Sequence, residues 1–358
     1  MATSAGTDPA VALDAAQARR LFKQMALIRR FEERAEEQYT RARIGGYCHL
    51  AIGEEASSVG AIDAMIDGDC LFASYRDHGA ALAVGSPAAA VMGELFGKVS
   101  GVAHGRGGSM HLLDVQRHFY GGWGIVGAHV PIATGAALAL EYDGRPNAVL
   151  CQLGDGAMAT GQFHEAMNLA AVWHLPIVFH VINNLYGMGT SVEQSSAEPE
   201  LWKRAAAYRM HGERVDGNDV LAVREAAGRL LERARGERQP ALLETITYRY
   251  RGHSVADAGK NYRTREEIDS WRERDPITRF GLLMTERGLL SGEDVDEVWQ
   301  EVAAEVKAAI DDALAASPPA RDSLYEHLYG DPASPEQFQH MTAGAPFGER
   351  GEEQTWPT

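Results

Sequence analysis

The sequence predicts an α/β protein: a central parallel sheet with helices on both faces, a long N-terminal helix and a helical C-terminal region. Three observations carry this expectation. An apolar run at 148–153, a helix-like stretch at 162–173 and a second apolar run at 177–182 read as a strand–helix–strand unit, the repeating piece of doubly wound sheets. Apolar residues make up 45% of the 358, enough for a large core and far from a disordered composition. Helical apolar spacing brackets the unit on both sides, so the sheet has elements to cover it.

Taken in order, Asp14 is placed to cap a helix running to about Arg43, with Leu21, Met25, Ile28 and Phe31 as its apolar stripe and Gly45-Gly46 as its stop. A second helix is expected over 53–66 and a short strand over 70–75. Nine glycines fall between Gly97 and Gly127 with few periodic apolar residues, which predicts a long and therefore functional loop. A helix resumes over 131–142. Beyond the strand–helix–strand unit come a loop to about Ala197, a helix near 201–208, an amphipathic helix over 220–234 and a strand over 241–247. The stretch 249–265 is polar and rich in arginine and glycine, and is expected to be mobile. Residues 266–316 read as helical, with a cap at Ser291 and a stop at Pro318-Pro319. The expected domain division is 1–45 (extension and helix), 46–265 (sheet domain), 266–330 (helical region) and 331–358 (disordered tail). No internal repeat is visible.

The formal charge is −16, which disfavours nucleic acid and anionic membrane as partners while leaving room for a local basic pocket. Cys48, Cys70 and Cys151 lack metal or redox spacing, so they read as reduced thiols. The N-terminal stretch has neither the basic nor the apolar region of a signal peptide, and its first arginine is Arg19; with no run of membrane-spanning length, the expected setting is cytoplasmic.

Chemistry concentrates at the strand ends. Gly154-Asp155-Gly156 closes the first apolar run and Asn183-Asn184 closes the second. Each alone is a turn signal. Together they put a carboxylate and an amide at the carboxyl ends of adjacent strands, where open α/β sheets bind ligands. Two oxygen ligands, incomplete by themselves, suit Mg²⁺ that takes its remaining ligands from phosphate and water.

This pairing, with GGSMH at 107–111, FYGGWGIVGAHVPIATG at 119–135, NNLYGMGTSVE at 183–193, and YRYRGHS and NYRTREEI near 248–268, resembles the thiamine diphosphate-dependent 2-oxo acid dehydrogenases. Within them it is most similar to the alpha subunits of the pyruvate dehydrogenase type, over roughly residues 15–330. The resemblance implies the thiamine diphosphate-binding fold, with Mg²⁺ held by Asp155, Asn184 and the Tyr186 carbonyl. It implies that Tyr75 and Arg76 contact the diphosphate, with Gly156 and Ala157 beside it. Gly124 and Val126 would touch the aminopyrimidine through backbone groups, and Met188 would lie under the folded cofactor. His49 and His253 would line the substrate end as catalytic residues. Trp123 departs from the small or polar residue often found there, and Arg251 from a histidine of eukaryotic relatives. Ser254 matches a phosphorylated serine of those relatives, though regulation is not carried over.

The implied reaction is decarboxylation of a small 2-oxo acid, pyruvate first, with transfer of the two-carbon unit to a lipoyl group on a dihydrolipoyl acyltransferase. Acetoin or branched-chain 2-oxo acid dehydrogenase is the rival enzyme reading, and a non-catalytic scaffold subunit the rival outside enzymes. No pyrimidine-activating glutamate is assignable here. The resemblance places it on a beta subunit, in an α₂β₂ heterotetramer with the Gly97–Gly127 loop and the 131–142 helix near the interface.

Overall fold

A computed structural model describes residues 13–326 of the chain. Residues 13–318 belong to one compact unit. Of the second unit, which starts at Pro319, the described part holds one short 3₁₀ turn, Arg321–Tyr325. The expected tail at 331–358 lies outside the described residues.

The elements are α1 (Ala15–Thr40), α2 (Glu55–Asp63), β1 (Cys70–Ser74), α3 (His78–Ala83), α4 (Ala88–Leu95), β2 (Phe119–Trp123), α5 (His129–Tyr142), β3 (Val149–Gly154), α6 (Gly161–Val172) and β4 (Ile177–Asn183). They continue with a small hairpin, β5 (Tyr186–Gly187) and β6 (Thr190–Ser191), then α7 (Val192–Ser195), β7 (His211–Asp216), α8 (Val220–Glu237) and β8 (Ala241–Ile246). Three helices, α9 (Arg265–Arg272), α10 (Pro276–Glu286) and α11 (Gly292–Ala315), complete the unit. Six strands form one parallel sheet in the order β2-β1-β3-β4-β8-β7.

Strand alternation builds two cores. Leu71, Ala148, Leu150, Val178 and Leu243 face α1–α4, α8, α10 and α11. Their neighbours Phe72, Val149, Cys151, Phe179 and Leu242 face α5 and α6. Successive side chains of a strand point to opposite faces, so a continuous apolar run is what a sheet covered on both sides requires. The α/β expectation, with helices on both faces, is met. Asp14 caps α1 in a capping box with Gln17, and the predicted stripe of Leu21, Met25, Ile28 and Phe31 is fully buried.

The differences have physical causes. The expected Gly97–Gly127 loop contains β2, hidden because Phe119-Tyr120-Gly121-Gly122-Trp123 is glycine-rich and, among the strands of the sheet, pairs with β1 alone, across a register irregularity. The polar β7 was not expected either; it is the opposite edge strand, and much of it is exposed. Residues 201–208 form a 3₁₀ rather than an α-helix. Residues 266–316 are three helices, since Asp275 caps a new helix with Pro276 in its first turn and Ser291 caps another.

The rest of the glycine-rich segment is organised around one acid. Glu94 of α4 is fully buried. Its Oε2 accepts the N–H groups of Ala103 and Gly105 at 2.8 Å each, and its Oε1 those of Gly107 at 2.7 Å and Gly108 at 3.1 Å. Asp77 does similar work on β2's side: its Oδ2 accepts Leu112 N–H at 3.0 Å, and a Cβ at Gly122 would fall on that carboxylate. Gly122→Ala is therefore expected to destabilise the chain by about 1–3 kcal/mol, the usual cost of overpacking a buried site. A urea midpoint unchanged by the substitution would contradict this packing.

Candidate active site

The carboxyl ends of β1, β3 and β4 open onto a cavity of about 330 Å³. Each delivers expected residues. β1 ends into Tyr75 and Arg76, β3 into Asp155 and β4 into Asn184. Asp155 begins a 3₁₀ turn that also places Gly156 and Ala157 in the wall. Tyr186, Met188, Val126 and His253 complete the expected set lining this cavity.

Asp155 and Asn184 are both buried. Asp155 Oδ2 has no hydrogen-bond partner, and burial pushes its carboxyl up to about 6. A buried acceptor without a donor is a costly arrangement that a cation would relieve. Asn184 Nδ2 donates to Glu54 Oε1 at 2.8 Å, while its Oδ1 accepts Tyr186 N–H at 3.3 Å. The neighbouring Asn183 is structural: its Nδ2 donates to buried Glu244 at 2.7 Å and its Oδ1 accepts Leu185 N–H at 3.0 Å. Among the described residues no group of three or more His, Cys, Asp or Glu could hold a metal by itself, so a cation here needs amide, carbonyl or phosphate oxygens as well.

Arg76 is nearly buried, its guanidinium donating to the Leu50 carbonyl at 2.7 Å and the His253 carbonyl at 3.0 Å, with Nε 3.7 Å from Glu54 Oε1. A second guanidinium, Arg249, is 1% exposed and lines the same cavity. It donates to the carbonyls of Tyr186 at 3.4 Å and Met188 at 3.3 Å. Burial and the nearby Arg76 hold it below the usual guanidinium range. Two buried like charges on one cavity are stable together only with anionic partners. Glu54 was missed as a site residue by sequence reasoning, and Arg249, whose charge favours anions, was left outside the site set. The available signals were the adjacent acids of Gly53-Glu54-Glu55 and an arginine set between aromatic residues at a strand end.

A second chamber, about 580 Å³, adjoins the first and shares Tyr75, Val126, Met188 and His253 with it. His49 and Gly124 lie here rather than in the first cavity. The rings of His49 and Tyr75 are 4.6 Å apart and those of His49 and His253 5.1 Å, so the two histidines meet as expected. Burial and then Arg76 drive His49 down to about 3 and His253 to about 4. Both rings should stay neutral, their NMR ring-proton shifts flat from about pH 8 to 5, where an ordinary histidine titrates. Because both values lie below the ordinary 6.5, stability from the neutral rings is complete above about pH 6.5 and drains as pH falls toward 4.

Two glycines in the chamber walls differ in how closely their neighbours approach. The left-handed backbone around Tyr186 belongs to Leu185 (φ 74°) and Met188 (φ 56°), not to Gly187. Gly187 packs on Gly156, where a Cβ would lie at an ordinary contact distance of 3.4 Å from Gly156 Cα. At Gly124 the space a side chain would take belongs to His111, 3.0 Å from where a Cβ would stand. The segment expected to be mobile, 249–265, is tied down: Asp257 accepts His253 N–H and Gly259 N–H at 2.8 Å and the Tyr262 hydroxyl at 2.5 Å. Arg263 lies over the Tyr248 and Tyr262 rings and donates to the Arg249 and Arg251 carbonyls. Polar composition misled here because the arginines satisfy local carbonyls instead of water.

Fold and cavity together define an α/β protein built to hold an anionic ligand at the mouth of its parallel sheet. The family model for the dehydrogenase E1 component matches residues 23–321, and the chain belongs to that family. It is 44% identical over 308 residues to the pyruvate dehydrogenase E1 component subunit alpha of Rhizobium meliloti (strain 1021), covering 86% of this chain and 88% of the relative. The protein of the same name from Rickettsia bellii (strain RML369-C) is 42% identical, with 86% and 94% covered. The chloroplastic subunit alpha-3 of Oryza sativa subsp. japonica is 40% identical over 326 residues, with 88% and 76% covered. Family membership implies thiamine diphosphate as cofactor.

Proposed function

We propose that this chain is the alpha subunit of a thiamine diphosphate-dependent pyruvate dehydrogenase first component, acting in the cytoplasm. It would decarboxylate pyruvate and pass the acetyl unit to a lipoyl group on a dihydrolipoyl acyltransferase. The observation that carries this reading is one cavity that joins an unpartnered buried carboxylate, Asp155, to two buried guanidiniums, Arg76 and Arg249. A metal diphosphate brings the opposite charge to each. The residues thus fit the group: Asp155 and Asn184 side chains and the Tyr186 carbonyl would hold Mg²⁺, while Arg76, Arg249 and the Tyr75 hydroxyl would hold the diphosphate. The fit asks Arg249 to release its long bond to the Tyr186 carbonyl.

When bound, the cofactor supplies the electron sink for decarboxylation. The chain's own residues do the rest. Val126 and Met188, shared by both chambers, lie between the anion end and the histidine end and can pack the cofactor there. His49 and His253, held neutral, are suited to hydrogen-bond the substrate's oxygens without adding a fixed charge beside it. Tyr47, Met110 and Tyr262 line the second chamber at that end.

Partner binding is supported by the surface. α5 exposes Ile132, Leu138 and Tyr142, with Ile125 just before it, and α6 ends in exposed Val172 and Trp173. Such an apolar patch marks an interaction face, and a beta subunit in an α₂β₂ heterotetramer is the occupant this function requires. The substrate assignment is tested by kcat/KM of the assembled α₂β₂ component for pyruvate, a branched-chain 2-oxo acid and acetoin. A preference for either of the last two would replace the pyruvate reading.

A further inference from the structure

Glu54 is a buried acid facing the cavity beside a proposed metal ligand. Its Oε1 accepts the Asn184 amide N–H at 2.8 Å and lies 3.7 Å from Arg76 Nε. It is carried on a turn that cannot drift. Ala51 N–H donates to Glu32 at 2.8 Å, Gly53 N–H to Glu55 at 3.0 Å, and Thr247 Oγ1 to the Gly53 carbonyl at 2.8 Å. Gly53 itself has φ 102°, and a Cβ there would collide with the Tyr248 carbonyl. Glu54 is thus presented rigidly, ahead of α2, toward β4's end.

A carboxamide has two ends of nearly equal shape and opposite chemistry. Only the oxygen can ligate a cation; the NH₂ has no lone pair to give. Turning the Asn184 amide over would set its oxygen against the Glu54 carboxylate and its NH₂ against Tyr186 N–H, losing both hydrogen bonds and creating two repulsions. We propose that Glu54 is a positioning residue: by accepting the Asn184 N–H it locks the amide with Oδ1 toward the cation. This rests on the magnesium-diphosphate reading of the cavity and assigns a role to a residue that touches neither metal nor substrate.

The test measures binding, with Mn²⁺ as an EPR-visible probe and thiamine diphosphate present, on the full chain assembled with its beta subunit. Glu54→Ala is expected to weaken Mn²⁺ binding about 10- to 100-fold, as loss of a ligand-orienting partner does, whereas Glu54→Gln, which keeps an acceptor oxygen, stays within about threefold of the unaltered protein. Native affinity in Glu54→Ala, or equal weakness in Glu54→Gln, overturns the proposal. Asp155→Ala is the reference: undiminished Mn²⁺ binding by that variant would remove the cavity reading itself. If Glu54→Ala does not fold, the reciprocal pair decides. Asn184→Asp sets two carboxylates face to face and should bind poorly; adding Glu54→Gln restores a donor and acceptor in reversed order. Recovery in the double variant supports the role, and no recovery overturns it.

Discussion

Replacing Asp155 with alanine is expected to abolish magnesium-dependent thiamine diphosphate binding while the chain stays folded, and Asn184→Ala to do nearly the same. Asp155 offers the one charged metal oxygen in the cavity with no competing protein partner. Removing it deletes a ligand and leaves Arg76 and Arg249 with less compensation. A loss of about 100-fold or more is expected, which is about 2.8 kcal/mol at about 1.4 kcal/mol per tenfold. Stability should not suffer equally, since a buried carboxyl raised to about 6 is a burden on the unliganded fold. The measurement is a cofactor titration with and without Mg²⁺, paired with a thermal melt of each variant. Native affinity in the Asp155 variant would be incompatible with the site as built here.

The second large effect concerns completeness. The chain alone is expected to show no 2-oxo acid decarboxylation even with saturating cofactor, and turnover is expected to appear when the beta subunit is added. Thiamine chemistry requires a carboxylate on the pyrimidine ring. The two chambers hold three carboxylates in their walls: Glu54, Asp155 and Asp257. Glu54 is committed to Asn184 and Arg76 at the diphosphate end, Asp155 faces the metal position, and Asp257 is saturated by two backbone N–H groups and the Tyr262 hydroxyl. Hydrogen bonding holds Asp257 down to about 2, so it is a poor proton shuttle. Pyruvate-dependent reduction of an artificial acceptor, first by the purified chain and then by the mixture, checks this. Robust turnover by the chain alone would show that one of these three acids does the partner's work.

What could be read from the sequence follows from what kind of signal each feature leaves. Asp155 and Asn184 were legible because strand ends are marked by apolar runs and the sheet's topology gathers them. The helices were legible where a stripe faces a core, as in α1 and α8. β2 and β7 left no apolar run, because edge strands share only one flank with the sheet. Glu54 and Arg249 look like ordinary surface charges in one dimension; their burial is decided by which turns meet over β4. The tying down of 249–263 was equally invisible, since arginines that bond carbonyls have the same composition as arginines in water.

The clasp on α4 has a consequence for how this protein can change over generations. Glu94 grips the segment after it through four main-chain N–H groups, which every residue except proline possesses. The grip itself draws on no side chain between Ala103 and Gly108. Space restricts the segment instead at Gly105 and Gly107, where a Cβ would stand 2.6 Å from Gly97 C and 2.2 Å from the His111 carbonyl oxygen, and just before it at Gly101, where a Cβ would meet Glu94 itself. Variation should accordingly be tolerated at Ala103 and Arg106, restricted at the glycines, and forbidden in the gripping residue: one acid on a helix underwrites a stretch of chain whose glycines answer to space rather than to the acid.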